Sequence, residues 1–240
     1  LHMLRTFITA SYKPPRQFIW VTGVVLLLVT LFLSFSGYLL PWDQLAYWAV
    51  TIGSSMADAT PGLGDAANKL LRGAVDVGQG TLLRFYLLHI LLLPGVAIIL
   101  ISVHYYAVRK QEISPIHELF DNVPPTRRKI PFLPDQVYFE IAVIAVLTFG
   151  LIFINQFIWN AKLESHANPF VTPQHTRAPW YFLFLQGMLK VGDKFFFGLL
   201  LFGVMFVALT VLPYLDRNPS RKFKDRKVAL TGAAVATVLI

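Results

Sequence analysis

Four long apolar runs, at about 18–40, 82–108, 137–159 and 195–214, decide what this chain can become. Each holds roughly 20 residues or more, enough for an α-helix to cross ~30 Å of hydrocarbon. In hydrocarbon the backbone polar groups must be satisfied within the segment, so runs of this length are read as helices. Another apolar run opens near 228 and is still in progress at Ile240. The expected fold is an all-α membrane protein, a transmembrane helix bundle. The start at Leu1-His2 and the end inside an apolar run add the expectation that the bundle is truncated at both ends.

Loop charges give the orientation. Lys13 and Arg16 precede the first run, and Arg109 and Lys110 follow the second. Arg127, Arg128 and Lys129 precede the third, and Arg217, Arg221, Lys222, Lys224, Arg226 and Lys227 follow the fourth. An antiparallel zigzag puts all of these on one face, the cytoplasmic face or its equivalent. We call it the negative side and the opposite face the positive side. The net charge of +8 therefore reports topology, and no alternation of aromatic and basic residues points to nucleic acid. Only 14% of residues are charged against 55% hydrophobic, where soluble domains carry roughly 25% charged residues. The sequence has no cysteine, which excludes disulfides, thiolate metal sites and covalent c-type haem attachment within it.

The positive-side loops, 41–80 and 160–194, are long, poor in charge and rich in aromatics, among them Trp42, Tyr47, Trp48, Trp180 and Tyr181. Loops of this kind fold back on the membrane surface and often form a site there. The competing reading is an aromatic belt.

His89 and His104 share the second run, 15 residues apart. That spacing is a rise of about 22 Å, and at ~100° per residue it returns the side chain to within about 60° of the same face. Two imidazoles on similar faces at two depths suit two haems stacked across a bilayer. Two polar residues satisfied between helices is the alternative, although ionisable groups in spans default to function. Gly23 and Gly37, 14 residues apart in the first run, match the depths of His104 and His89. A glycine in a helix marks a close approach, here of a haem edge or of a small-residue helix contact. A low-spin haem takes two axial ligands. His2 lies at the depth of His104 and completes one pair. The partner of His89 is then expected about four turns upstream of His2, outside these residues. Arg5 and Arg84 stand about one turn from His2 and His89, placed for haem propionates or as interfacial anchors.

At these residues the sequence resembles the cytochrome b subunit of the Rieske/cytochrome b complexes, the quinol:cytochrome c and quinol:plastocyanin reductases. The carriers are LHMLRTF at 1–7, GYLLPWDQ at 37–44, AYWAV at 46–50, TLLRFYLLH at 81–89, HYYAVRKQEISP at 104–115, NPFVTP at 168–173 and PWYF at 179–182. Together they cover nearly the whole chain. The histidine spacing and the Asp43-Gln44 pair resemble the chloroplast and Gram-positive branch, here in a fused single chain. The halves are then expected at 1–115, the haem-binding N-terminal-type region, and 137–240, the C-terminal-type region, joined by a connector at 116–136.

The resemblance implies two b haems, with His2, His89 and His104 as iron ligands, and a quinone substrate. It implies a Q-cycle coupled to proton translocation, a Rieske iron–sulfur protein and a c-type cytochrome or equivalent acceptor as partners, and a homodimer of a multi-subunit complex. The location would be a bacterial plasma membrane or an energy-transducing organelle membrane. By the same resemblance Pro41, Trp48, Val50, Trp180 and Tyr181 would line the positive-side quinol pocket, and Arg109 and Asp135 would stand near a negative-side quinone. One departure matters. The family's motif carries a glutamate thought to accept a quinol proton, and Pro179 stands in its place. Asp43 is the favoured substitute base, with His175 and Asp58 as others; an altered or water-borne proton exit is the alternative. His117 and His166 are expected to be a solvated and a structural histidine. The rival functions are a di-haem anchor of another quinone-linked dehydrogenase and a non-redox transporter, and the histidine and glycine depths argue against the latter.

Overall fold

Helices follow from the apolar runs. The computed structural model describes residues 1–115, 119, 130–159, 163–174 and 176–239. His117 and His175, Arg127, Arg128 and Lys129, and most of the connector at 116–136 lie outside the described residues. The helices are α1 (His2–Ile8), α2 (Gln17–Tyr38), α3 (Gln44–Ser55), α4 (Gly64–Arg72), α5 (Gln79–Leu87), α6 (Leu93–Gln111), α7 (Val137–Phe157), α8 (Leu183–Val191), α9 (Leu201–Leu215) and α10 (Lys227–Leu239). Four helical segments are long and apolar enough to cross a membrane: Gln17–Tyr38, Gln79–Gln111, Phe132–Phe157 and Lys194–Leu215.

The second of these joins α5 to α6 through a wide π-type turn at Leu88–Leu92, where the Leu93 N–H reaches back to the Leu88 carbonyl. Pro94 accounts for it. Proline has no N–H to give the Ile90 carbonyl, and its ring crowds that carbonyl. A turn closed over one extra residue relieves both problems, and such turns recur at functional sites.

Helix α2 is the axis of the packing and meets both α6 and α9. Near the negative side Tyr12, Trp20 and Val24 form a core with Met3, Phe7, Phe206, Leu209 and Leu212 packed on it. The Trp20 indole N–H donates to the Leu209 carbonyl at 2.6 Å, pinning α2 to α9. Near the positive side Leu39, Val50 and Phe85 form a second core. By contrast α7 buries none of its residues. An apolar face toward lipid carries no hydrophobic penalty, so a span can stand this exposed in a membrane.

The positive-side loops are tied by named contacts. Asp43 caps α3 by accepting from the Ala46 N–H at 2.8 Å. Helix α4 ends at Gly73, whose φ of +78° suits glycine. A Cβ there would also fall 2.6 Å from Arg84 Nε. The buried Arg72 donates to Ser54 Oγ at 2.8 Å and to the Thr51 carbonyl at 3.1 Å, fastening α4 to α3. The Gln44 side chain grips the returning loop, accepting from the Asn168 N–H at 2.7 Å and donating to the Asn168 and Val171 carbonyls.

Candidate functional site

The two histidines of the second span face α2, each at a hydroxyl–glycine step. His104 lies opposite Thr22-Gly23, with Nδ1 2.8 Å from Thr22 Oγ1. His89 lies opposite Ser36-Gly37, with Nδ1 3.1 Å from Ser36 Oγ and 3.0 Å from the Leu33 carbonyl. What meets each glycine is the imidazole edge. A Cβ on Gly37 would fall 2.5 Å from His89 Cε1, and one on Gly23 3.4 Å from His104 Cε1. The sequence offered a haem edge or a small-residue helix contact at these positions; the histidine ring lies against each glycine, because α2 and the second span cross closely enough to bring the rings onto its backbone.

The π-type turn brings the spacings into step. Fifteen residues of plain α-helix overshoot a full number of turns by about 60°, whereas the 14-residue glycine step falls short by about 40°. One residue absorbed in the wide turn makes the histidine step behave as 14, so it too falls short by about 40°. Both imidazoles can then meet both glycines on one face of α2.

A cavity of about 350 Å³ opens on the negative side between α1, α2 and α6. Its walls include His2, Arg5, Arg16, Gly23, His104 and Glu112. The chain therefore brings both imidazoles of the expected pair to one hollow, with Arg5 as the guanidinium beside them. The rest of the lining is apolar at Met3, Ile19, Trp20, Leu26, Val108 and Ile113 and polar at Thr6, Ser11 and Ser114. This donor set, two imidazoles with the Arg5 and Arg16 guanidiniums beside them in a partly apolar hollow, fits a b-type haem. Among the described residues no group of three or more His, Asp or Glu is arranged to hold a bare metal ion. Arg109 and Asp135 are absent from the described walls. Both are exposed, since each lies where its helix end meets solvent.

On the positive side a cavity of about 220 Å³ lies between α2, α3 and α8. Phe32, Phe35, Tyr38, Ile52, Pro179 and Phe182 are among its walls, and its polar groups are Tyr38, Thr176, Arg177 and Gln186. Gln186 lines it and ties the neighbouring loop, donating to the Thr176 carbonyl and accepting from the Ala178 N–H, both at 2.9 Å.

The residues expected here from sequence are placed differently. Val50 is fully buried in the core beside Leu39 and Phe85. Trp48 donates its indole N–H to the Val171 carbonyl at 3.1 Å. Pro41 and Trp180 are exposed, and Tyr181 hydrogen-bonds Ser34 at 2.6 Å. None of the five is in the described wall. Asp43 is also outside it, with one oxygen on the Ala46 N–H and the other 3.3 Å from the Glu164 N–H. Asp58 too is outside the wall, and no carboxylate lines it among the described residues. Arg84 donates to the Lys69 and Leu70 carbonyls at the end of α4, a helix C-terminus that favours a cation. His166 pairs through its backbone with Asp43. Sequence reading missed Phe35, Tyr38 and Gln186. The signal for the first two was their register on α2 at the depth of Gly37.

A buried charge cluster closes the negative side. Tyr12 donates to Asp216 at 2.5 Å and Lys13 lies 3.3 Å from the same carboxylate. Arg226 donates to Tyr12 Oη at 3.0 Å and to the Ile8 and Phe7 carbonyls. Burial, with Asp216 beside it, pushes the Tyr12 hydroxyl up to about 12. Burial also lowers Lys13. Asp216 is held below the usual carboxylate range: burial alone would raise it, and the Tyr12 hydrogen bond with the Lys13 and Arg226 charges outweighs that.

Comparison with known proteins fits this geometry. A family model described as cytochrome b (N-terminal)/b6/petB matches residues 1–179, and one described as cytochrome b (C-terminal)/b6/petD matches residues 166–240. Cytochrome b6 of Porphyra purpurea is 47% identical over 114 residues, covering 48% of this chain and 53% of that protein. Cytochrome b6 of Chlamydomonas reinhardtii is 46% identical with the same coverage. The chain spans about half the length of the curated relatives it matches. A solved structure titled a hyperthermophilic respiratory Complex III superposes with a TM-score of 0.79 at 27% identity, over 96% of this chain and 62% of that one.

Proposed function

This chain belongs to the cytochrome b family, an integral membrane protein crossing the bilayer several times, and from that premise we propose that it is the quinol-oxidising electron-transfer subunit of a Rieske/cytochrome b complex, carrying two b haems and working in a Q-cycle. The observation that supports this best is the shared hollow of His2 and His104 against Gly23. Haem supplies one-electron redox chemistry that no side chain here offers.

The chain's own residues supply position and environment. His2 and His104 would hold the negative-side haem, with Arg5 on its propionates. His89 would hold the positive-side haem, with its second ligand from outside these residues and Arg84 at the neighbouring surface. The apolar positive-side cavity would take the quinone ring between Phe35, Tyr38 and Phe182, keeping bulk water away. Val50, Trp48 and Tyr181 would support that pocket by holding α3 to its core, α3 to the 160–180 loop and that loop to α2, and Pro41 and Trp180 would stand exposed at the positive side. General-base chemistry needs a group within hydrogen-bond reach of the proton. With no carboxylate in the described wall, Asp43 acts as a helix cap, and the quinol proton would leave through His175 or a chain of ordered waters. Arg109 and Asp135, both exposed near the negative surface, would flank the entry of a second quinone. The partners are a Rieske iron–sulfur protein and a c-type cytochrome or equivalent acceptor, in a dimeric complex. The regions 1–115 and 137–240 would correspond to the haem-binding and C-terminal halves.

The test is optical and magnetic. The full complex should show reduced b-type α-bands from two haems per full-length chain and co-purify with a Rieske electron-spin signal. Protein without haem would overturn the proposal. Haem without the Rieske signal would favour a di-haem anchor of another dehydrogenase.

A further inference from the structure

The two histidines of the second span meet the same arrangement on α2, and the proton inventory there decides which imidazole nitrogen is free. Thr22 Oγ1 donates to the Ile19 carbonyl at 2.9 Å. A hydroxyl has one proton, so toward His104 Nδ1, 2.8 Å away, the Thr22 oxygen is the acceptor. Ser36 repeats the pattern, donating to the Leu33 carbonyl at 3.0 Å and facing His89 Nδ1 at 3.1 Å. His89 Nδ1 is also 3.0 Å from the Leu33 carbonyl, which can only accept. Both rings therefore carry their proton on Nδ1 and keep the Nε2 lone pair. Thr22 is 6% and Ser36 2% exposed, so bulk water does not stand in for either hydroxyl. The glycine after each hydroxyl admits the ring: a Cβ would meet His89 at 2.5 Å and His104 at 3.4 Å.

We propose that Thr22 and Ser36 are positioning residues that fix His104 and His89 as Nδ1–H tautomers, aim Nε2 at the haem iron and strengthen each imidazole as a donor, setting the two haem potentials apart. This rests on the haem-binding reading above. An acceptor on the far ring nitrogen fixes tautomer and rotation and raises ligand basicity, and losing it typically changes metal binding by ~10–100-fold. A more basic imidazole favours the oxidised iron, so removing the hydroxyl raises the potential of that haem. The two sites should respond unequally. Replacing Ser36 leaves the Leu33 carbonyl at 3.0 Å from His89. Replacing Thr22 removes the 2.8 Å partner of His104; the Ile19 carbonyl remains as its backbone acceptor, without the 3.0 Å contact that Leu33 makes to His89.

The experiment is a redox titration of the full complex, following both α-bands, with low-temperature electron-spin spectra of the oxidised haems. Thr22→Val should shift the negative-side couple about tenfold toward reduction, 59 mV for one electron, and change that haem's spectrum alone. Ser36→Ala should shift only the positive-side couple, by less than threefold. Thr22→Ser should restore the parent values. Absence of haem from the unsubstituted complex overturns the functional reading, and this inference with it. Haem present with unchanged potential and spectrum in Thr22→Val overturns this inference alone. Should Thr22→Val lose its haem, retention in Thr22→Ser supports the hydroxyl's role. Loss in Thr22→Ser as well shows that the methyl packs the site and overturns it.

Discussion

His104 and His89 stand on one span, opposite one helix, each at a hydroxyl–glycine step, yet their surroundings differ in kind. The His104 end opens into a cavity with His2, Arg5, Arg16 and Glu112 on its walls. Beyond it lies a buried cluster of Tyr12, Lys13, Asp216 and Arg226. The His89 end abuts the apolar core of Leu39, Val50 and Phe85, with a nearly apolar cavity across α2. One local device thus serves two dielectric settings. Charges that are buried must be paired and hydrogen-bonded to persist, so the negative side adds electrostatics to the packing of its Tyr12, Trp20 and Val24 core. The positive side is held by packing and by loop hydrogen bonds such as those of Gln44 and Gln186.

The sharpest way to break the comparison is to remove each ligand. His104→Leu should abolish the negative-side haem signal and His89→Leu the positive-side one, each leaving the other in optical and electron-spin spectra. Next in size is Asp216→Asn, which leaves Lys13 and Arg226 buried without their counter-charge. It should cost about 3 kcal/mol, read as a lower Tm of the detergent-solubilised complex. The sign with pH follows from the depressed carboxyl. Such a group stabilises above its unfolded pKa, and that stability is lost as pH falls through the folded value. The Tm gap between parent and Asp216→Asn should therefore be full at neutral pH and close below pH ~3.9.

A smaller effect separates the two glycines. Alanine at Gly37 would place its Cβ 2.5 Å from His89, and at Gly23 only 3.4 Å from His104. Gly37→Ala should cost about 1–3 kcal/mol through overpacking and lower positive-side haem occupancy. Gly23→Ala should be the milder of the two in haem content per chain. The smallest expected effect is Gln186→Leu, which frees the Thr176 carbonyl and the Ala178 N–H. Loss of those bonds should cost about 1–2 kcal/mol locally and raise the KM for quinol, with haem spectra unchanged.

What the sequence determined by itself is what repeats along a helix or follows from solvent. Long apolar runs become spans because hydrocarbon leaves the backbone no other partner. The depths of His89, His104, Gly23 and Gly37 follow from a fixed rise per residue. A proline inside a span must disturb it, but the form of the Pro94 disturbance as a wide turn was decided by the structure. Tertiary structure decided which residues share a wall. Val50 and Asp43 sit within motifs that resemble a quinol site, yet one is core and the other a helix cap. Tyr38, Phe35 and Gln186 reach the cavity because α2, α3 and α8 converge there. Convergence depends on crossing angles and loop ties between segments over a hundred residues apart, such as Gln44 with Asn168. Periodicity within one segment carries no record of these. The tautomers of His89 and His104 belong to the same class, since they depend on hydroxyls donated by another helix.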